Sequence, residues 1–384
     1  MSMMELNTSE KMLFALLRAS LNKEVAEVSI FQEVTEDDWK ECYRLAVRHG
    51  VKALAWDGMI TLPEEIQPSF DRRLVWTMKV EDYEKKYARY CRTIDEMTAF
   101  YAKQGIATVQ LKGVGLSTFY PIPSHREGGD IDIYTFSADK SRLTDKEANM
   151  LADKLMETQG IPVDVHSYKH SNFYYKGIPI ENHKVFLNVK QHPVIAESDR
   201  WLKECMNPQT VTLLDGTCRI WIPSPAFNTV FLAFHTLSHY GSGMALHHLC
   251  DWAIFINRFG LVLPDELTNK RFLRAVNAMT SLCNHYLGTS INRMNRYKGS
   301  EIKVVEGEAF ADEMLDEILH PEFPYKEKVA ITGKWDILVY KTRRFLHAAR
   351  VKNRIIYTPL WKRIWVSVVA HVCNPGTIFK MHAD

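Results

Sequence analysis

Apolar positions recur at helical spacing over the first hundred residues. Asn7, with Glu10 three positions on, marks a capped helix start before an apolar run. Thr35 and Asp38 repeat the signal, Trp39, Cys42, Leu45 and Ala46 then share one face, and Gly50 ends that helix. A long amphipathic stretch from about Asp71 to Lys103 closes the segment. At Gly105 the period changes. Ile106 to Leu111 is short, apolar and rich in β-branched residues, the pattern of a buried strand. Lys112-Gly113 reads as a turn, Val114 to Tyr120 as a short helix stopped by Pro121 and Pro123, and Ile131 to Phe136 as a second strand. Lys146 to Gln159 is helical, with Gly160 at its end. Further strands are expected at Pro162–His166 and Ile178–Val189, the latter with a turn or bulge near Asn182–Lys184. Beyond Pro208 there is one more β-like run, Cys218 to Ile222. Ala226–Tyr240 and Leu246–Phe259 follow as helices, and the remainder to Asp384 reads as helical with breaks at Pro321, Pro324, Pro359 and Pro375. The pattern predicts an α+β protein in three parts: an N-terminal helical region (1–104), a small α/β core (105–207) and a C-terminal helical region (208–384).

Composition leaves this picture intact. With 46% hydrophobic and 24% charged residues, the 384-residue chain has the make-up of a soluble globular protein. Its net charge of +2 hides an uneven distribution. Lys334 to Arg363 holds nine Lys/Arg against Asp336, and Glu301 to Glu327 holds nine Asp/Glu against Lys303 and Lys326. Two solvated helix faces that pair with each other are the favoured reading; a basic surface for an anionic partner is the other. The seven cysteines are scattered with no CxxC, which reads as reduced thiols. The N-terminus lacks the basic region of a signal peptide, and the charge-free stretch Ile364–Phe379 is broken by His371 and Pro375-Gly376. A cytoplasmic location without a membrane span is the expectation.

The candidate chemistry lies at Gly128-Gly129-Asp130-Ile131-Asp132. In a strand, residues two apart share a face and lie roughly 6 to 7 Å apart by the strand rise, so Asp130 and Asp132 project together while Ile131 and Ile133 enter the core. Two adjacent carboxylates repel, and a cation between them removes the conflict. Hard oxygen ligands suit Mg2+ or Mn2+. Solvated aspartates at a strand end are the simpler alternative. The flanks favour chemistry: Gly129 permits close backbone approach, the Lys112-Gly113 turn opens a helix whose amides could face phosphate, and Lys112 and Arg126 supply positive charge.

Leu111-Lys112-Gly113, Tyr120-Pro121, Arg126 and Gly129-Asp130-Ile131-Asp132 together resemble the uncharacterised nucleotidyltransferase family, which belongs to the DNA polymerase β-type nucleotidyltransferase superfamily. The likeness continues through His170–Phe173, Ile180-Glu181-Asn182-His183, Phe234-His235-x3-His239 and Leu246-His247-x3-Asp251-Trp252. It covers most of 35–260 and is strongest over 111–133. It implies a mixed-sheet nucleotidyltransferase core in which three carboxylates bind two divalent ions. The implied reaction moves a nucleoside monophosphate from a nucleoside triphosphate to an acceptor and releases pyrophosphate. By the resemblance Asp130 and Asp132 are metal ligands, and Glu181 is preferred to Asp164 as the third carboxylate. Lys112, Gly113, Arg126 and Gly129 are the nucleotide-side residues. The superfamily's Gly-Gly or Gly-Ser turn is Gly113-Val114 here, and 15 residues separate Val114 from Asp130. The acceptor is unnamed: a small molecule, a protein or an RNA end all fit. A catalytically weak relative serving as a nucleotide-binding or protein-interaction module is the alternative.

His235 and His239, at i and i+4, share a helix face, and His247 and Asp251 do likewise. Thr236 stands where a metalloprotease would carry glutamate, so a polar network pinning the helical part to the core is favoured over zinc; lining the cleft, with His183, is the intermediate reading. Arg350–Trp365 mixes basic and aromatic residues. An amphipathic helix is favoured there over nucleic-acid binding.

Overall fold

The structure is a computed structural model and describes residues 4–213, 218–297, 299–305, 309–323 and 333–373. Helices α1 (Thr8–Asn22), α2 (Glu36–Arg48) and α3 (Lys52–Met59) open the chain. The first two begin in capping boxes, Asn7 with Glu10 and Thr35 with Asp38, so the start signals act as the sequence predicts. α3 crosses α1 at such close range that a Cβ on Gly58 would lie 2.1 Å from the Leu16 carbonyl oxygen; only glycine fits there. The amphipathic stretch that follows is one 33-residue helix, α4 (Phe70–Ala102).

The central sheet is built from β1 (Ile106–Gln110), β2 (Ile131–Ser137), β3 (His170–Tyr175), β4 (Ile178–His183), β5 (Gln209–Leu213) and β6 (Cys218–Ile222), in the order β3-β4-β2-β1-β6-β5. It is mixed: β2 runs parallel to β4 and antiparallel to β1, and β1 runs parallel to β6. Between the strands lie the short α5 (Val114–Ser117), then α6 (Asp145–Thr158) and α7 (Pro193–Cys205). After the sheet come α8 (Pro225–Ser238), α9 (Leu246–Phe259), α10 (Lys270–Leu287), α11 (Ala309–Leu319), α12 (Lys334–Lys352) and α13 (Leu360–Cys373).

One face of the sheet, with Ile131, Ile133 and Ile180, packs with Ile94 and Met97 of α4 and Ala148 and Ala152 of α6. The other face carries Asp132 and Tyr134. Tyr134 packs against Phe186 with the rings tilted, and Phe186 meets Phe227 of α8 edge-on, with ring centroids 4.9 and 4.8 Å apart. Asp132 therefore looks towards the α8–α9 layer.

Four expectations change. Pro162–His166 is not a strand; only Asp164 meets Asn172, in a single bridge at the sheet edge, and Pro162 has no amide to extend the ladder. Ile178–Val189 is not one strand either. β3 and β4 form a hairpin about Lys176-Gly177, both at positive φ (50° and 74°). The chain leaves the sheet after His183, where Asp199 accepts the amides of Phe186 and Leu187. Those buried apolar residues imitate strand periodicity. The sheet also runs past 207, because β5 and β6 pair as a hairpin joined to β1. Finally, the C-terminal part is not wholly helical: β7 (Val262–Leu263), β8 (Arg293–Arg296) and β9 (Glu301–Lys303) form a second small sheet.

The charge runs pair with each other where the residues are described. Arg354 meets Glu313, His347 Nε2 lies 3.1 Å from Glu317, and Arg343 lies 3.8 Å from Glu322. Pro324, Pro375 and Glu327 fall outside the described residues. Among the described residues no helix is long and apolar enough to cross a membrane.

Candidate active site

The parallel pairing of β2 with β4 sets Asp132 opposite Glu181, so two carboxylates from distant parts of the chain share one face. Asp130 joins them two residues before Asp132. The Lys112 ammonium marks the meeting point, 3.1 Å from Asp132 Oδ2 and 3.8 Å from Asp130 Oδ2. His183 Nε2 lies 3.0 Å from Asp132 Oδ1 and 3.6 Å from Glu181, and ligand atoms of Asp132, Glu181 and His183 all lie within 4.8 Å of one another. The Asp132 side chain is fully buried (0% exposed), whereas Glu181 keeps 26% and Asp130 35% exposure. The centre is thus closed below and open above.

Its electrostatics follow from that geometry. Asp130 is pushed up to about 6, first by the Asp132 carboxylate and then by burial. Burial works to raise Asp132 as well, but Lys112 and His183 hold it well below the usual carboxylate range. Glu181 is likewise brought down against burial, chiefly by His183. Burial opposes the charged His183 ring, yet Asp132 and Glu181 carry it above the ordinary histidine value. Both its ring nitrogens face acceptors, Asp132 Oδ1 at 3.0 Å and the Val185 carbonyl at 3.3 Å, which suits an imidazolium donating twice.

Local folding holds these groups in place. Gly113 sits at φ 61° and ψ −118°, a backbone conformation that favours glycine; the space beside it, with the Asp130 carbonyl oxygen 3.5 Å from a Cβ built there, is not what demands it. The Gly128-Gly129 segment is held by α4, where Lys86 donates to the Gly128 carbonyl at 2.6 Å and Tyr90 to that of Gly129 at 2.8 Å. Beneath β4, Asn182 accepts from Thr135 (3.0 Å) and Asn149 (3.0 Å) and donates to Asp153 (2.8 Å). Asn182 faces away from Glu181 and His183, and fixing it fixes both neighbours.

The remaining candidates are placed as follows. α5 is a single turn whose Gly115, Leu116 and Ser117 amides turn back onto the Lys112 and Gly113 carbonyls, so those donors are not turned to a ligand. Arg126 forms a bidentate pair with Asp251 (3.1 and 2.7 Å), and Tyr120 donates to the same carboxylate at 2.7 Å. This buried triad ties the Arg126 loop to α9. Asp164 is exposed beyond β3 and accepts the His166 amide at 3.0 Å.

One residue escaped the sequence reading, and a second was quoted only within the His170–Phe173 resemblance, without a role. Lys169 precedes β3 and lies within electrostatic reach of Asp130, Asp132, Glu181 and Lys112, with burial and Lys112 lowering its pKa; among the described residues its ammonium has no ion-pair partner. His170 Nε2 lies 3.7 Å from Glu181. For Lys169 the only signal is position, directly before a polar edge strand; His170 opens that strand.

Across the gap, His235 of α8 and His239 at its C-cap meet His248 of α9, not His247, with ligand atoms within 4.8 Å of one another. His248 Nδ1 accepts the Ala245 amide at 3.1 Å, which places the proton of its neutral ring on Nε2. The trio therefore offers two lone pairs rather than three and, as folded, is not a complete tri-histidine metal site. His247 Nδ1 lies 3.1 Å from the His49 carbonyl oxygen.

A mixed sheet that projects carboxylates from adjacent strands, backed by helices, defines a nucleotidyltransferase-like core. The chain belongs to the family described as uncharacterised nucleotidyltransferase, which matches residues 35–288. A nucleotidyltransferase-like antigenic protein from Paracoccidioides brasiliensis is structurally similar at 14% identity and a TM-score of 0.33, over 55% of this chain and 94% of that one. No curated protein matches.

Proposed function

We propose that the protein is a metal-dependent nucleotidyltransferase acting at the Asp130, Asp132 and Glu181 centre. The observation that carries this reading is the register of β2 against β4, which sets Asp132 beside Glu181 with Asp130 two residues away. The donor set fits a hard divalent cation: it consists of carboxylate oxygens, the buried Asp132 Oδ2 is met by the Lys112 ammonium at 3.1 Å but accepts no well-aligned hydrogen bond among the described residues, and the mutual repulsion that lifts Asp130 asks for more positive charge than Lys112 provides. Asp130, Asp132 and Glu181 would hold Mg2+ or Mn2+. When bound, such ions neutralise a triphosphate and favour in-line displacement at its α-phosphorus.

The protein's own groups supply the rest. Glu181, partly exposed and flanked by His170 and His183, accepts the proton of the acceptor hydroxyl. The acceptor oxygen bonds to the α-phosphorus, the bond to the β-phosphate oxygen breaks, and pyrophosphate leaves. Lys169 and Lys112 face the departing charge, and His183 fixes the Asp132 carboxylate. To test this, the protein is incubated with Mg2+, radiolabelled nucleoside triphosphates and cell lysate. Labelled acceptor and pyrophosphate are expected from wild type and from neither Asp132→Asn nor Glu181→Gln. Undiminished transfer in both variants would sink the assignment.

One observation favours a second reading. Lys112 and His183 already place two cationic groups against these carboxylates, as a protein that dispenses with the ions would. In that case calorimetry shows triphosphate binding of equal strength with and without Mg2+, and no pyrophosphate appears.

A further inference from the structure

A cavity of about 70 Å3 opens where the α12–α13 corner packs on α8 and α10, remote in sequence from the carboxylates. Phe234, Leu237 and Ile355 contribute apolar walls, and Lys352 and Arg363 contribute charge. We propose that this cavity binds a small ligand of the phosphate monoester class, its oxyanion held by Lys352 and Arg363 and its organic part against the apolar walls.

The charge balance argues for an anion. Among the described residues no carboxylate lines the cavity; its other polar side chains, such as Asn188, Ser238 and Thr358, are neutral. Lys352 is largely enclosed and, among the described residues, has neither a hydrogen bond nor an ion pair. The charged neighbours that act on it are Arg363 and Arg344, both cationic, and with burial they bring its ammonium down to about 8. An enclosed cation without a counter-ion is costly. Two cations together match a dianion, which favours phosphate over carboxylate.

The arginine is also built in. Asn353 Oδ1 accepts from Arg363 Nη2 and from the Thr358 amide, both at 2.9 Å, and Arg271 donates to the Asn353 carbonyl at 2.8 Å. Arg363 Nε is buried and, among the described residues, has no hydrogen-bond partner. The guanidinium is thus fixed by one edge while a buried donor is left over, as a preorganised oxyanion contact requires. The cavity shares α8 with the candidate active site. Phe234 and Leu237 line the cavity, while His235 and His239 occupy the next stripe of that helix and feel both Lys112 and, at His239, Lys352. The cavity stands on its own groups and does not depend on nucleotide transfer.

Titration calorimetry with phenyl phosphate, without divalent metal, tests the site. Wild type is expected to bind. Lys352→Met and Arg363→Gln should each weaken binding about tenfold or more, the scale of one lost charge-assisted contact, while Asp132→Asn should leave it unchanged. Lys352→Met should also melt at or above the wild-type temperature without ligand, because it removes an unpaired enclosed charge. No binding by wild type at millimolar phenyl phosphate overturns the proposal. So does binding that Asp132→Asn abolishes and Lys352→Met does not. Should Lys352→Met unfold, Arg363→Gln decides: a variant that melts like wild type and binds at wild-type strength also overturns it.

Discussion

At the sheet, Asp132 lies between Lys112 and His183, each within hydrogen-bonding distance; one layer away, His235, His239 and His248 stand together with no carboxylate among them. Both groups are ionisable and buried or half-buried, but the fold treats them in opposite ways. At the sheet it retains charge and pairs it, so Lys112 and His183 are driven towards their charged forms. In the helical layer burial suppresses charge: His239 falls to about 3, and His235 and His248 drop well below the ordinary value, with Lys112 adding repulsion. Charge is thus kept at the sheet and removed from the facing helical layer.

The strongest way to break this comparison is to cut the tie between the layers. Asp251→Ala leaves the Arg126 guanidinium buried without its bidentate partner. A loss of about 3–5 kcal/mol in unfolding free energy is expected, readable by urea denaturation; a change under about 1 kcal/mol would mean that the triad does not join the layers. Next in size is the effect of Asp132→Asn, which keeps the shape and removes the charge. Nucleotide transfer should fall on the order of 10²–10³-fold, as when one transition-state contact is lost, and the melting temperature should fall as well, because Lys112 and His183 lose a buried counter-charge. A similar fall from His239→Gln would place the chemistry in the wrong layer.

The two layers also differ in how far they can be read from the sequence. Asp130 and Asp132 are legible because strand periodicity is local, and α9 is legible because Leu246–Phe259 is strongly amphipathic. The partner of Asp132 is not a local matter: Glu181 arrives through a parallel pairing between strands 49 residues apart, which the residues alone do not encode in any period. The resemblance pointed to Glu181, and the register gives the physical reason it stands there. β3 and β5 escaped because His170–Tyr175 and Gln209–Leu213 are short, polar-sided edge strands stabilised by their hairpin partners. His248 escaped because helical spacing relates it to neither His235 nor His239. It reaches them only through the α8–α9 packing.

Acid should separate the layers by sign. The folded pKa of His239 lies near 3, below the ordinary value of about 6.5, so the neutral ring's contribution is fully present above about 6.5 and is lost as pH falls towards 3. His183 is shifted the other way; its contribution is full below about 6.5 and fades as pH rises above it. Between pH 6 and 5, wild type should lose about 1.4 kcal/mol of stability for each such neutral histidine. His239→Gln should flatten that slope by about the same amount, and His183→Gln should not. Equal slopes in wild type and His239→Gln would show that His239 is not held neutral by burial.

The smallest expected effect is the most informative about the open side of the centre. Lys169 is the cation near the carboxylates with no ion-pair partner among the described residues, whereas Lys112 already lies against Asp132 and Arg126 is committed to Asp251. If triphosphate charge settles over the centre, Lys169→Met should raise KM for the nucleoside triphosphate about tenfold, the scale of one lost charge-assisted contact, and leave stability unchanged or slightly higher. Lys169→Arg should restore most of the affinity. An unchanged KM in Lys169→Met, with Arg126→Met raising it instead, would place the phosphates at the loop near α9 and move the nucleotide away from the β3 edge.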